Sequence, residues 1–344
     1  MKPLPEKEAC AEGVIIGLSA VVVSVESGSP RVFVVRGAEH ALSVGVQHVH
    51  EDGDALPFGP FDPGGHETLE QGLRAWVKDQ TPLCPGYVEQ LYTFGNRSRY
   101  AGRKEDDARV ISIGYLALTH HDTDRPGGAE DARTSSKVFW GDWYSYFPWE
   151  DWREGSPDSI ARVIEPGLKK WVDSASSKEE KLQRRARVNL CFGLGGLAWD
   201  EERVLDRYEL LYEARLVHEA IRDKGLKVEH ALAPGYSMLY DHRRILATAM
   251  SRLRGKLKYR PVVFELLPAE FTLLQLQKTV EAIAGHRLHK QNFRRLVEGS
   301  GMVEEVPGKK SVASGGRPAA LFRFRREALL ERPAPGLKLS PVGG

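Results

Sequence analysis

A short run near the C-terminus carries side chains that could bind nucleic acid. Lys290, Gln291, Asn292, Arg294 and Arg295 all fall within residues 290–295. Lysine and arginine neutralise DNA phosphates, while arginine, glutamine and asparagine also form hydrogen bonds with base edges in the major groove. Such a run can equally be the solvated face of an ordinary helix. Its meaning therefore depends on the elements that position it.

The flanking sequence predicts a helix-turn-helix followed by a wing. Thr272 and Gln275 have the spacing of a capping box, and Gly285 is suited to end the helix that begins there. A second helix is expected from about His289, with the basic run on its exposed side. Two short strands are expected at 302–306 and 321–324, joined by a Gly-rich basic segment. The predicted DNA contacts are Lys290, Gln291, Asn292, Arg294, Arg295 and Arg317.

Positive charge is concentrated in the same part of the chain. The whole sequence has 49 Lys and Arg against 47 Asp and Glu, a net charge of +2. Residues 252–327 hold 16 basic and 7 acidic residues, a net +9, so the remainder sums to −7. A basic C-terminal module on an acidic body is typical of a protein that binds nucleic acid through one end.

The rest of the composition indicates an ordinary globular protein. Its 344 residues are enough for two domains. The three cysteines, Cys10, Cys84 and Cys191, match neither a disulfide framework nor a metal-binding spacing. The N-terminal segment is unlike a signal peptide, and no apolar run is long enough to cross a membrane. We therefore expect a cytoplasmic protein without membrane contacts.

A second segment of functional interest comprises residues 56–83, a Gly/Pro-rich loop followed by a helix expected from about Glu67 to Gln80. It resembles the Nudix box, in which GG and a loop acid precede a helix with the pattern R-E-hydrophobic-x-E-E-x-G. Alignment on Glu67 places Ala75 at the arginine, Trp76 at the next glutamate, and Asp79 and Gln80 at the paired glutamates. Nudix catalysis needs several carboxylates to hold divalent metal against a diphosphate. The resemblance thus implies a retained scaffold without metal or catalytic residues, and no enzyme.

Further segments make this resemblance more specific. VEQLYTFG and RVISIGYLAL follow the box, and the helix-turn-helix with SGGRPAALFRF comes last. Together they resemble the Nudix-related transcriptional regulators of NAD metabolism, in particular the longer alphaproteobacterial type. The similarity covers about residues 12–120 and 230–326.

This resemblance implies a homodimeric repressor of NAD biosynthesis or salvage genes that binds a palindromic operator in double-stranded DNA. A small-molecule nucleotide effector, which could be ADP-ribose, ATP or an NAD-related compound, would tune it, and no other cofactor would be required. The effector cleft is expected around Gly64, Gly65, Glu67, Tyr92, Phe94 and Arg97. The alternative is an active nucleotide pyrophosphatase that carries a regulatory DNA-binding domain.

Residues from about 120 to 228 form an insertion that shorter members of this group lack. Its Trp140, Trp143, Trp149 and Trp152 could stack on an adenine, but clustered aromatics more often serve cores. A strand is expected at 187–192, followed by a helix at about 201–224. The glycines between them fit a dinucleotide-binding pattern, yet Asp200, Glu201 and Glu202 would repel a pyrophosphate there.

The expected fold is α+β. A Nudix-like α/β/α sandwich would span residues 1–240, with the insertion at about 120–228. Residues 241–258 are predicted to form a linking helix, whose apolar stripe could serve either the core or a dimer interface. The winged helix-turn-helix would span 259–330, and 331–344 would be a disordered tail.

Overall fold

The computed structural model describes residues 14–36, 53–81, 86–96, 109–120, 138–311 and 318–328. Arg97, Arg317 and the expected tail at 331–344 lie outside these ranges. No helix within them is long and apolar enough to cross a lipid bilayer.

A mixed β-sheet forms the centre of the N-terminal half. Its strands are β1 (Val14–Glu26), β2 (Ser29–Arg36), β3 (Asp54–Ala55), β4 (Phe58–Pro60), β5 (Tyr87–Phe94), β6 (Arg109–Leu118) and β7 (Val138–Asp142). The main order is β3-β2-β1-β6-β5, with β4 paired to β1 and β7 to β2. β1 and β6 run parallel, whereas β2 and β4 flank β1 in antiparallel orientation. The apolar run in β1 is buried because this strand lies at the centre of the sheet.

The helices are α1 (Leu69–Gln80), α2 (Glu165–Asp173), α3 (Lys178–Phe192), α4 (Val204–Glu213), α5 (His218–Asp223), α6 (His242–Leu257), α7 (Leu273–Ala284) and α8 (Lys290–Ser300). α1 covers one face of the sheet, where Leu73 and Val77 join a core cluster with Leu18. α6 packs on the other face, against β1, β5 and β6. Helices on both faces give the three-layer arrangement that the sequence predicts.

The linking helix α6 is part of the core of a single chain. Twelve of its sixteen residues are buried, including the apolar stripe from Leu246 to Leu257. The sequence alone left open whether this stripe serves a core or a dimer interface. Burial within one chain identifies it as core.

The insertion is mainly helical, and two predictions for it were wrong. Residues 187–192, predicted as a strand, form the end of α3, because a short apolar run suits a half-buried helix as well as a strand. The helix expected at 201–224 is divided into α4 and α5, since Arg215 adopts a left-handed conformation (φ 59°) between them. Gly193 ends α3 with φ 62°. The glycine pattern therefore follows a helix, not a strand.

The C-terminal part has the predicted helix-turn-helix and wing. α7 begins with the expected capping box, in which the Thr272 hydroxyl accepts from Gln275 N and the Gln275 side chain accepts from Thr272 N. Gly285 ends the helix with φ 80°. β8 (Val303–Ser311) and β9 (Ala319–Phe324) follow α8 as an antiparallel pair.

Candidate DNA-binding surface and effector cleft

The residues predicted to contact DNA on α8 all lie on its exposed side. The helix buries only Phe293 and Val297, which lie one turn apart and anchor it against α7 and β8. Within the described ranges, none of the five predicted residues forms an ion pair or a side-chain hydrogen bond; they are Lys290, Gln291, Asn292, Arg294 and Arg295. Their charges and amides are therefore available to a ligand.

Glu281 fixes the turn that sets the direction of α8. Its Oε1 atom accepts hydrogen bonds from Leu288 N (2.9 Å) and Gln277 Nε2 (2.8 Å), and Arg287 Nη1 lies 3.3 Å from Oε2. The Glu281 side chain is buried. Because this carboxylate joins α7 to the main chain just before α8, it orients the two helices of the motif relative to each other.

The wing is also basic, although part of it lies outside the described ranges. Lys309 and Lys310 are exposed on β8, and Lys309 Nζ lies 2.6 Å from Glu270 Oε1. Gly308 has φ 71° at an irregularity in the hairpin. The predicted phosphate contact, Arg317, lies outside the described residues, so its role stays a prediction.

The C-terminal end of α7 is attached to the body of the protein through main-chain carbonyls. Tyr144 Oη donates to the Ala282 carbonyl (2.7 Å), and Arg254 Nε donates to the Ile283 carbonyl (2.9 Å). The Gly285 carbonyl accepts from Trp152 N at 2.7 Å. The last carbonyls of a helix lack partners within the helix. Here the insertion and α6 supply those partners.

Glu150 lies at the centre of this attachment, between two arginines. Arg207 donates to both carboxylate oxygens (2.6 and 2.8 Å), and Arg254 Nη1 donates to Oε2 (2.8 Å). All three side chains are fully buried. Burial alone would raise the pKa of the Glu150 carboxyl, but the two guanidinium groups outweigh it and lower the pKa below its usual 4.5. Glu150 is therefore a buried carboxylate at neutral pH.

The tryptophans of the insertion belong mainly to the core around this network. Trp143 and Trp149 are completely buried. Trp152 packs against Trp199 with 4.4 Å between ring centroids, and the Arg207 guanidinium lies 3.8 Å from the Trp199 centroid. The expectation that the cluster is structural is confirmed for the two buried rings.

On α1, the side chains at two positions aligned with the Nudix motif form hydrogen bonds with the main chain of β4. Trp76 Nε1 donates to the Pro60 carbonyl (2.8 Å), and its ring lies so close to Gly59 that a Cβ there would be 2.2 Å away. The Gln80 amide accepts from Phe58 N (3.1 Å) and donates to the Phe58 carbonyl (2.7 Å). Both side chains thus stabilise the position of β4 against α1. Among the described residues, no three His, Cys, Asp or Glu cluster as a metal site would require.

The residues predicted for the effector cleft are not all brought together. Gly64 and Gly65 lie in an exposed loop whose Asp62 carboxylate accepts from Gly64 N (2.9 Å), and Glu67 is exposed at its end. Tyr92 is 60% exposed on β5, with its ring 5.4 Å from that of Phe94.

Phe94 lies on the face of the sheet opposite to α1. It is buried in the core cluster that includes α6, and the Arg244 guanidinium lies 5.1 Å from its ring. In this arrangement Phe94 supports Tyr92 and is not open to a ligand beside α1. Arg97 lies outside the described ranges. The effector site remains a prediction.

Comparison with known proteins supports the assignment of the C-terminal part. A family model of the NrtR DNA-binding winged helix domain matches residues 263–324. The ADPR responsive transcriptional repressor NtrR of Acinetobacter baylyi is 37% identical over 113 residues, which are 33% of this chain and 43% of that protein. The match therefore spans less than half the length of this relative.

Two solved structures resemble the chain at lower identity. Shewanella oneidensis NrtR complexed with a 27mer DNA is 19% identical, with a TM-score of 0.51 over 91% of this chain and 94% of that one. The NUDIX domain of the same protein complexed with ADP ribose is 21% identical, with a TM-score of 0.28 over 40% and 77% of the two chains. The chain thus shares the overall fold of S. oneidensis NrtR, and residues 263–324 match the NrtR DNA-binding winged helix domain.

Proposed function

We propose that this chain is a transcriptional repressor that binds a palindromic operator as a homodimer and responds to a nucleotide through its Nudix-like domain. The observation that carries the proposal is the set of exposed, unpaired basic and amide side chains on α8 of a winged helix. Genes of NAD biosynthesis or salvage would be its targets. ADP-ribose is the first effector to test, because the A. baylyi relative is named as responsive to it.

A homodimer accounts for how a single short helix could select an operator. One recognition helix reads only a few base pairs, so two copies on a two-fold axis place their helices in successive major grooves about 34 Å apart. α8 begins beside the turn held by Glu281, which presents Lys290 and Asn292 at the exposed N-terminal end of the helix. We expect these N-terminal residues to reach base edges, and Arg294 and Arg295 to contact base edges or phosphates.

The Nudix-like domain would bind its effector without hydrolysing it. Ala75 replaces the arginine of the motif, and Trp76 and Gln80 offer no carboxylate where the motif has glutamates. Trp76 and Gln80 are already hydrogen-bonded to the main chain around β4. The effector would lie against the loop of Gly64, Gly65 and Glu67, with Arg97 contributing from the segment after β5. Tyr92 packs on Phe94, on the face of the sheet opposite to α1, and would not contribute there.

DNA binding is tested by fluorescence anisotropy with a duplex selected by the protein from a random pool. Arg294→Ala should weaken binding at least tenfold and reduce the slope of log K against log salt by about one unit if it contacts phosphate. Arg185→Ala is the matched control, since it removes the same charge from an exposed position on α3. Equal losses for both variants would contradict a specific role for α8.

One further assay distinguishes effector binding from catalysis. ADP-ribose should change operator affinity, and incubation with magnesium should release no AMP. Magnesium-dependent release of AMP that is abolished by Glu67→Gln would instead establish the alternative, an active pyrophosphatase with a regulatory domain.

A further inference from the structure

A cavity of about 670 Å³ lies within the insertion. Its walls are formed by α2, the helical turn directly before α2, one residue of α3, the end of α4 and the segments on either side of α5. No residue of α8 or of the loop at 61–68 lines it. The cavity is therefore distinct from the candidate DNA surface and from the effector cleft.

The lining is strongly cationic. It contains five basic side chains and one carboxylate: Arg162, Lys170, Arg184, Arg215, Lys224 and Glu213. Three of these groups have partners outside the lining, in the pairs Arg162–Asp158, Arg184–Glu180 and Glu213–Arg187. The net charge is +4 for the lining and still +3 when those three partners are included.

Three of the cations have no counterion among the residues that the structure describes. Lys170, Arg215 and Lys224 form no ion pair with any residue in the described part of the chain. Positive charges that face one concavity repel each other, and a concave wall concentrates their potential. An anion of similar total charge would relieve this repulsion.

The walls are held by specific contacts. A Cβ on Gly167 would lie 2.7 Å from Leu216 Cδ2, so α2 and the segment after α4 are in close contact. Arg215 has φ 59°, a left-handed conformation that non-glycine residues rarely adopt. Its carbonyl lies 3.0 Å from His230 Nε2. The guanidinium of Arg184 covers the Trp171 ring at 4.5 Å. The cations are thus carried by a defined framework.

We propose that this cavity binds a compact polyanion, a chain of two or three phosphates, with Lys170, Arg215 and Lys224 as the neutralising groups. Three unpaired cations match the charge of such a chain, whereas a monoanion would leave most of the positive charge uncompensated. The volume lies within the usual range for small-molecule sites. A concave site also fits a small molecule better than the convex backbone of a duplex.

The test is calorimetric titration of the full-length protein with sodium tripolyphosphate. Wild type should bind one molecule per chain. Lys170→Gln combined with Arg215→Asn should weaken binding about 25-fold, or about fivefold per charge, and asparagine tolerates the left-handed conformation. The control is Lys169→Gln, which removes an exposed charge from the neighbouring position of α2 outside the lining and should change affinity less than twofold.

Absence of saturable binding by wild type would overturn the proposal, as would equal affinity in the double variant and wild type. If the double variant does not fold, Lys170→Gln alone is decisive, because the residue is exposed on a helix surface and its loss should cost about fivefold. A parallel titration with ATP identifies the source of the phosphates. If the double variant also loses affinity for ATP by a similar factor, the site is assigned to a nucleotide. If the protein binds tripolyphosphate but not ATP, the site is assigned to free polyphosphate.

Discussion

Replacing Glu150 by glutamine should show how strongly the insertion supports the winged helix part of the chain. The substitution keeps the size of the side chain and removes the one negative charge between Arg207 and Arg254. Both guanidinium groups would remain completely buried. They would keep hydrogen bonds to main-chain carbonyls, such as those of Cys191 and Ile283, but would lose their counterion.

The substitution is expected to lower the free energy of unfolding by a large amount. Removing one partner of a buried ion pair costs about 3–5 kcal/mol, because the remaining charge is left uncompensated. Glu150 serves two arginines, so we expect a loss of about 4 kcal/mol or more. A domain typically has only about 5–15 kcal/mol of stability. At about 2–4 °C per kcal/mol, the melting temperature should fall by about 10 °C.

The matched control is Glu154→Gln. Glu154 also pairs with an arginine near the turn of the motif, since its Oε1 lies 2.6 Å from Arg287 Nη2. However, its side chain is 85% exposed, and exposed pairs contribute about 0–1 kcal/mol. Scanning calorimetry of both variants is the assay. Melting temperatures within about 2 °C of each other would refute the claim that the buried network stabilises the fold.

The same network should make stability depend on pH. The pKa of Glu150 is lowered in the folded state, so its contribution is fully present above the ordinary value of 4.5 and is lost as pH falls through the folded value. The acid-induced decrease in the free energy of unfolding should therefore be smaller for Glu150→Gln than for wild type. An identical pH dependence below 4.5 would contradict this assignment.

Three further outcomes are expected. Burial lowers the pKa of His242 to about 3, so the unfolded chain binds a proton between pH 6.5 and 3 that the folded chain does not. The free energy of unfolding should therefore decrease as pH falls across this window, and urea titrations at pH 7 and 5 should show a smaller decrease for His242→Asn. Gln80→Leu should cost about 2 kcal/mol in urea unfolding, because it leaves both main-chain groups of Phe58 without their partner. Arg317→Ala should reduce the salt slope of DNA binding by about one unit, and an unchanged slope would count against a phosphate contact.

The features that were predictable from sequence are those with local determinants. The capping box of Thr272 and Gln275, the end of α7 at Gly285 and the exposed basic side of α8 depend on residues within a few positions of one another. The strand β1 was predictable for a similar reason, since a continuous apolar run marks a strand buried on both faces. In each case the local pattern and the packing agree.

The features that were missed depend on distant partners. Glu150 contacts Arg207 and Arg254, which lie 57 and 104 residues away, and nothing in the local sequence marks a glutamate as fully buried. The end of α3 was misassigned for a related reason. Its apolar run at 188–192 is short enough to suit either a strand or a helix, and only the packing against α4 decides between them. The cationic cavity likewise draws on residues spread from 162 to 231.

These long-range contacts limit how an effector could regulate DNA binding. The end of α7 is held by three hydrogen bonds to its carbonyls and by the network around Glu150. Each such bond contributes about 0.5–1.5 kcal/mol, and disrupting a buried ion pair costs about 3–5 kcal/mol. Allosteric coupling energies are typically about 1–3 kcal/mol. An effector would therefore not supply enough energy to detach the winged helix from its own body.

The proposed regulation should instead change how two whole chains sit relative to each other. Each body and its winged helix would move as one unit, and the spacing between the two α8 helices would change. Spin labels on exposed positions of the two protomers' α8 helices would then report an altered distance when ADP-ribose is added, whereas labels placed on α3 and α8 of one chain would not. A change in the distance within one chain, without a change between chains, would show that the attachment through Glu150 and Arg254 is broken during regulation.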